Sequence, residues 1–262
     1  MNIKTKKSLG QNFLVDKNIL NQIVNTVEIY NKEILEIGPG SGNLTSYILQ
    51  KNPKKFYVVE KDDNLSLLLK KKFNDKIKII NDDILKISEE GISKNKLIVF
   101  GNLPYNISTE ILSKWITNMN SNIWFESLIL MFQKEVADRI IAKSNNSNYG
   151  RLSILSNWKM DIKKIIDIKP QCFFPKPKID SSLLIFTPKK NFFKLQSAKS
   201  LEKLTRVFFS QRRKMLKKPF YQIFKNPEEI SKKFKINLNL RPQNLEPEVY
   251  FKLAQEFENS RS

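Results

Sequence analysis

The chain of 262 residues contains no histidine, one cysteine and seven glycines. Without histidine there can be no Ser-His-Asp triad, no Cys-His pair and no histidine-ligated metal. The single thiol, Cys172, excludes an internal disulfide and a thiolate zinc cluster, and it suits a reducing compartment. No apolar run approaches membrane-spanning length, and the basic start Met1-Asn2-Ile3-Lys4-Thr5-Lys6-Lys7 lacks the apolar segment of a secretory signal. These absences predict a soluble cytoplasmic protein. Its chemistry must run on carboxylates, amides, lysines, aromatic rings or a bound cosubstrate.

What is present is positive charge, a formal +20. Residues 187–262 carry 18 Lys and Arg against 7 Asp and Glu, whereas residues 1–186 carry 28 against 19. An excess this large points to a polyanionic partner, because each neutralised phosphate releases counterions. An aromatic content of 11% and a hydrophobic content of 40% indicate a folded chain long enough for one large and one smaller domain. Thr187-Pro188-Lys189-Lys190 marks the boundary.

The first part reads as alternating strands and helices. Asp16 is placed to cap a helix whose apolar face is Ile19, Leu20, Ile23, Val24 and Val27. Strands are predicted at Glu33–Ile37, Phe56–Glu60 and Ile77–Ile80, with helices over 43–50 and 62–73. Leu97 to Phe100 form a fourth strand, apolar on both faces as a covered parallel strand must be. Further strands are predicted at Ser127–Gln133, Ile162–Ile168 and Ser181–Phe186, and helices capped by Ser108 or Thr109 and running to about Met119, and over 134–142.

Each early strand ends on a polar feature at one sheet edge, where open α/β sheets place ligands. After the first comes Gly38-Pro39-Gly40-Ser41-Gly42. It lacks the third glycine of the dinucleotide fingerprint, position 43 being Asn, and it lacks the Gly-Lys-Ser/Thr of a phosphate loop. It suits a nucleoside-like ligand without pyrophosphate, or else an ordinary tight connection. Glu60, 22 residues after Gly38, has the interval of an acid that accepts from ribose hydroxyls. Asn81-Asp82-Asp83 ends the third strand, where a carboxylate could accept from an adenine amino group or simply cap a turn.

The fourth strand stops on Asn102-Leu103-Pro104-Tyr105. Pro104 ends regular pairing. The Asn102 amide and the Leu103 carbonyl then supply two acceptors beside the Tyr105 ring, which suits a planar base with an exocyclic amino group. Taken alone, this tetrapeptide reads better as a strand followed by a proline turn with one buried tyrosine. Phe173-Phe174-Pro175-Lys176-Pro177-Lys178 is a stiff connection presenting an aromatic beside lysines. It is either a rigid loop or a second wall for a flipped base, with Lys176 or Lys178 near phosphate. Beyond the boundary, Leu201, Leu204, Phe208 and Met215 mark a core face, and Lys203, Arg206, Arg213 and Lys217 an exposed basic one. The cluster from Arg212 to Lys218 favours nucleic acid.

Taken in order, six motifs resemble the KsgA family of small-subunit ribosomal RNA adenine N6,N6-dimethyltransferases. They are Leu9-Gly10-Gln11-Asn12-Phe13-Leu14, Glu36-Ile37-Gly38-Pro39-Gly40-Ser41-Gly42, Val59-Glu60, Asp82-Asp83-Ile84-Leu85, Asn102-Leu103-Pro104-Tyr105-Asn106-Ile107-Ser108-Thr109, and Phe173 to Ser181. Tyr149-Gly150-Arg151-Leu152-Ser153 and Arg212-Arg213-Lys214 extend the match. The resemblance implies a class I S-adenosylmethionine-dependent methyltransferase fold, Rossmann-like with a mostly parallel sheet. The expected domains are a catalytic one over 1–187 and a small helical, rRNA-binding one over 188–262.

It implies S-adenosylmethionine as donor and no metal. The donor would be held by Gln11, Asn12, Leu14, Gly38, Gly40, Glu60, Asp83, Ile84 and Asn102, with Glu60 at the ribose and Asp83 at the adenine amino group. Asn102, Leu103, Pro104, Tyr105 and Phe173 would serve the target adenine, with Tyr105 and Phe173 stacking on it. Lys176, Lys178, Arg206, Arg212, Arg213, Lys214 and Lys217 would meet RNA. The implied substrate is 16S rRNA in a 30S assembly intermediate, methylated at two adjacent adenosines near its 3′ end by a monomeric enzyme. A resistance-type large-subunit methyltransferase shares much of the pattern but is disfavoured by Gly38-Pro39-Gly40 and Phe173 to Ser181. A non-catalytic assembly factor is disfavoured by the intact donor motifs.

Overall fold

The computed structural model describes residues 11–119 and 123–260. The strands expected up to residue 102 form with small shifts at their ends. In chain order the first elements are β1 (Phe13–Leu14), α1 (Lys17–Val24), β2 (Glu33–Ile37), α2 (Asn43–Leu49), β3 (Lys55–Val59), α3 (Asp63–Phe73), β4 (Lys78–Ile80) and β5 (Leu97–Asn102). Asp16 caps α1, its carboxylate accepting from the Asn18 and Ile19 amides at 2.9 and 3.0 Å. Leu20, Ile23 and Val24 are that helix's buried face.

The remaining elements are α4 (Ser108–Asn118), β6 (Phe125–Gln133), α5 (Lys134–Ile141), α6 (Arg151–Lys159), β7 (Met160–Ile168), β8 (Phe173–Phe174), β9 (Ser181–Pro188), α7 (Ala198–Phe209), α8 (Lys217–Ile223), α9 (Pro227–Lys233) and α10 (Pro247–Asn259). Helix α6 carries no amphipathic signal because Ile154, Leu155 and Trp158 are buried alongside Ser153, Ser156 and Lys159.

Seven strands form one sheet in the order β4-β3-β2-β5-β6-β9-β7, and β1 and β8 form a separate two-stranded ribbon. Strands β4, β3, β2, β5 and β6 run parallel, and β9 is antiparallel to β6. All of β2 and the first five residues of β5 are buried, as strands covered on both faces must be. The chain moves outward from β2 to β4 and then returns to β5 beside β2. This reversal brings the carboxyl ends of β2 and β5 together, with Ile37 opposite Gly101. Gly38 and Asn102 follow directly on these paired ends.

The chain divides into two compact units. The first comprises residues up to Lys114, Met119–Ala137 and Ile162–Pro188, and contains the parallel strands and the ribbon. The second comprises Trp115–Asn118, Asp138–Asp161 and residues from Lys189 onward. In the second unit Leu201, Leu204 and Phe208 are buried, and the Phe208 ring packs on Phe220 and Tyr250. Met215 does not join that face and is 53% exposed. Helix α7 ends at Phe209, the following turn breaks the helical period, and Leu216 takes the buried place. Among the described residues no helix is long and apolar enough to cross a membrane.

Candidate active site at the carboxyl edge of the parallel sheet

The edge where β2, β3, β4 and β5 end encloses a cleft of about 240 Å³. Strand register assembles it. The Gly38 amide donates to the Val59 carbonyl at 2.9 Å, and the Glu60 amide to the Ile80 carbonyl at 3.1 Å, so the turns after β2, β3 and β4 lie side by side. Every donor-site residue expected from the sequence lines the cleft, as do Asn102, Leu103, Pro104 and Tyr105. Leu9 and Gly10 of the first motif lie outside the described residues.

Gly38 and Gly40 are required for different reasons. Both have positive φ, +65° and +59°. A Cβ at Gly38 would meet nothing nearer than the Asn102 carbonyl at 3.9 Å, so the backbone here is open to a ligand. A Cβ at Gly40 would sit 2.6 Å from the Phe13 ring, so this glycine makes room for β1. Asn43, which breaks the dinucleotide fingerprint, donates from Nδ2 to the Leu14 carbonyl at 2.8 Å and ties β1 to the glycine turn.

Glu60 is 7% exposed. Its carboxylate accepts from the Gly40 amide at 3.2 Å and the Asp62 amide at 2.9 Å. Burial pushes this carboxyl above its ordinary pKa, against the pull of those two N–H groups. Gln11 reaches across to Asp62 at 3.3 Å. Asp83 is held below the ordinary range, first by the Lys61 ammonium at 2.8 Å and then by the Leu85 amide at 3.0 Å. It therefore caps its turn and faces the cleft at once.

Glu36, which received no role from its place in the motif, lies at the base of the cleft and is 2% exposed. Burial pushes its carboxyl up to about 8 despite a 2.7 Å hydrogen bond from Thr45, and the charge of Glu60 adds to the rise.

Asn102 Nδ2 donates to the Asn12 carbonyl at 2.7 Å, which fixes the amide plane. Tyr105 is half-buried, with its hydroxyl 2.6 Å from Ser181 Oγ, and burial raises its pKa. Phe173 does not line the cleft. It is 4% exposed and packs into the core, so as the chain stands it offers no open ring face. Strand alternation is the cause, since a β8 residue whose neighbour faces out must face in. The ring that faces out is Phe174, 63% exposed. Lys176 and Lys178 are exposed in the first unit, and Arg206, Arg213, Lys214 and Lys217 in the second. Arg212 is half-buried and donates to the Ser147 carbonyl.

A family model described as ribosomal RNA adenine dimethylase matches residues 2–259. The chain belongs to the ribosomal RNA adenine dimethylase family. This dimethylase is 72% identical over 261 residues to the ribosomal RNA small subunit methyltransferase A of Pelagibacter ubique (strain HTCC1062), covering 100% of both chains. Its structure resembles a dimethyladenosine transferase from Plasmodium falciparum with a TM-score of 0.82 at 25% identity, covering 95% of this chain and 98% of that one. It shares its fold with the 23S rRNA methyltransferase ErmE, TM-score 0.68 at 20% identity over 94% and 99% of the two chains. The class I, Rossmann-like methyltransferase fold is thus established, as is the activity of an S-adenosylmethionine-dependent rRNA adenine dimethyltransferase.

The cleft suits that donor by its own chemistry. Glu60 is a buried acceptor beside a glycine turn, Asp83 a second acceptor one strand further out, and Gly38 leaves backbone open between them.

Proposed function

We propose that this dimethylase converts two adjacent adenosines near the 3′ end of 16S rRNA to N6,N6-dimethyladenosine, acting in the cytoplasm as a monomer on a 30S assembly intermediate and contributing to late small-subunit biogenesis. One observation carries the site assignment: Asn102, Glu60, Asp83 and Gly38, separated along the chain, line one cleft at the reversal of the sheet. Bound there, S-adenosylmethionine supplies a sulfonium methyl already activated for transfer.

The chain's own contribution is alignment. Glu60 accepts from the ribose hydroxyls, and Asp83 from the donor's adenine amino group. With Nδ2 committed to Asn12, Asn102 turns Oδ1 towards the substrate and accepts one N6–H, while the Leu103 carbonyl accepts the other. Holding both hydrogens in this way favours a nitrogen whose lone pair has left ring conjugation. Tyr105 stacks on the base and stays neutral, since burial raises its pKa. No strong base is needed, because the product ammonium loses its proton to water. For the second transfer, the singly methylated nitrogen donates its one remaining hydrogen. Lys176, Lys178, Arg206, Arg212, Arg213, Lys214 and Lys217 neutralise rRNA phosphates.

The test is methyl transfer from labelled S-adenosylmethionine to unmethylated small subunits, with nucleoside analysis of the product. Dimethyladenosine at two adjacent positions of small-subunit rRNA is the expected result. Methylation confined to large-subunit rRNA, or RNA binding without turnover, would overturn the proposal.

A further inference from the structure

We propose that Phe174 is a stacking platform for the unpaired nucleobase beside the target adenosine, a subsite of the first unit distinct from the Tyr105 pocket; this rests on the function proposed above.

The geometry of the β1–β8 ribbon carries the argument. The two strands are antiparallel, with Phe13 opposite Phe174 and Leu14 opposite Phe173. Directly opposed residues share a face of a ribbon, and successive residues alternate faces. Leu14 and Phe173, each 4% exposed, form the inner face and belong to the core cluster. Phe13 and Phe174 therefore share the other face. Phe13 lines the donor cleft, where its ring occupies the space above Gly40. Phe174 continues that face outward from the cleft.

The Phe174 backbone is anchored. The residue follows the anchored Phe173 and precedes Pro175, and its backbone is paired across the ribbon. Presenting an aromatic face this way costs little conformational entropy on binding. A lone exposed phenylalanine is unremarkable, and Val15 and Ile179, 45% and 42% exposed, also lie on segments flanking the ribbon. Charge decides the occupant. Lys176 and Lys178 are exposed two and four residues beyond the ring, on a chain of net charge +20. Aromatic faces interleaved with lysines suit single-stranded nucleic acid, where bases stack and phosphates meet ammonium groups. A nucleotide adjoining a base drawn into the cleft has lost its stacking neighbour. The outer ring of the ribbon restores that contact.

The test compares Phe174→Ala, Phe174→Leu and Phe174→Tyr with the wild-type chain in methyl transfer to unmethylated small subunits, alongside donor affinity by calorimetry. Loss of one base–aromatic stack is expected to raise the KM for subunits roughly 5- to 150-fold in Phe174→Ala, with donor affinity and thermal stability unchanged. Phe174→Tyr should stay within about twofold of wild type and Phe174→Leu should behave like Phe174→Ala, as a stacking contact requires. Wild-type behaviour of Phe174→Leu would indicate a plain apolar contact with a protein, and a wild-type KM in Phe174→Ala would indicate no contact. Either result overturns the inference alone. Failure of the wild-type chain to methylate small subunits would overturn the proposed function and this inference with it.

Discussion

The side-chain amide of Asn102 donates to the backbone carbonyl of Asn12 at 2.7 Å, joining residues 90 apart in sequence. The bond links the end of β5 to the segment that leads into β1, so the arm before the first helix is tied into the wall of the cleft. It also determines which end of the amide is left for the substrate. Removing the side chain takes away the proposed acceptor for N6 and the anchor for Asn12. Asn102→Ala should therefore lower kcat by about 100-fold or more, the scale of a misplaced reacting group. Binding to small-subunit RNA should be unchanged, because the basic residues lie elsewhere. Single-turnover transfer assays and filter binding on the same preparation separate the two; substantial residual turnover would show that N6 is aligned by other atoms.

Much of this arrangement is legible in the sequence, because it follows from local rules. The apolar run ending at Asn102, the glycines at 38, 40 and 42, and the acid at the end of β3 each announce a strand end with a polar feature. What is not legible is long-range register. Nothing near Phe13 indicates that its ring closes over Gly40. Nothing near Phe173 and Phe174 shows that they pair with β1, yet that pairing decides which ring faces out. Helix α6 is hidden for a different reason. It is buried on several faces, so apolar periodicity has no contrast to display.

As the proposed acceptor for the donor's ribose hydroxyls, Glu60 should link pH to donor affinity. Its ionised carboxylate is the form that accepts from hydroxyls, and burial has raised its pKa above the ordinary value. The charged acceptor therefore gives way to a weaker neutral one as pH falls through that raised pKa, at a higher pH than for an exposed glutamate. Donor affinity, measured by calorimetry in descending steps of pH, should decline as the pH falls. Glu60→Gln should weaken donor binding by roughly 10- to 150-fold, the loss of a hydrogen bond to a charged group, and should flatten the pH dependence.

The two site glycines should fail differently. Gly38→Ala meets no close atom, so its cost is the left-handed backbone alone, about 1–2 kcal/mol. Gly40→Ala adds a methyl 2.6 Å from the Phe13 ring and should destabilise the chain further while displacing β1. Combining Gly40→Ala with Phe13→Ala should recover part of that extra loss, which chemical denaturation of the four variants can measure. Additive losses in the double variant would show that Phe13 is not the obstacle.

Glu36 carries a pH signature in stability rather than in donor affinity. In the folded chain its carboxyl titrates at about 8, against an ordinary value of 4.5. Between these values the folded state holds a proton that the unfolded state has released. Stability must then fall as pH rises through this window, being fully present below about 4.5 and lost above about 8. The Thr45 hydroxyl donates to Glu36 Oε2 at 2.7 Å, and the carbonyl oxygen of a glutamine can accept the same bond. Glu36→Gln should therefore match wild type in thermal stability near pH 5 and exceed it at pH 8, where the wild-type chain buries a second negative charge beside Glu60. A wild-type profile with no decline between these limits would place the Glu36 proton outside the range its burial demands.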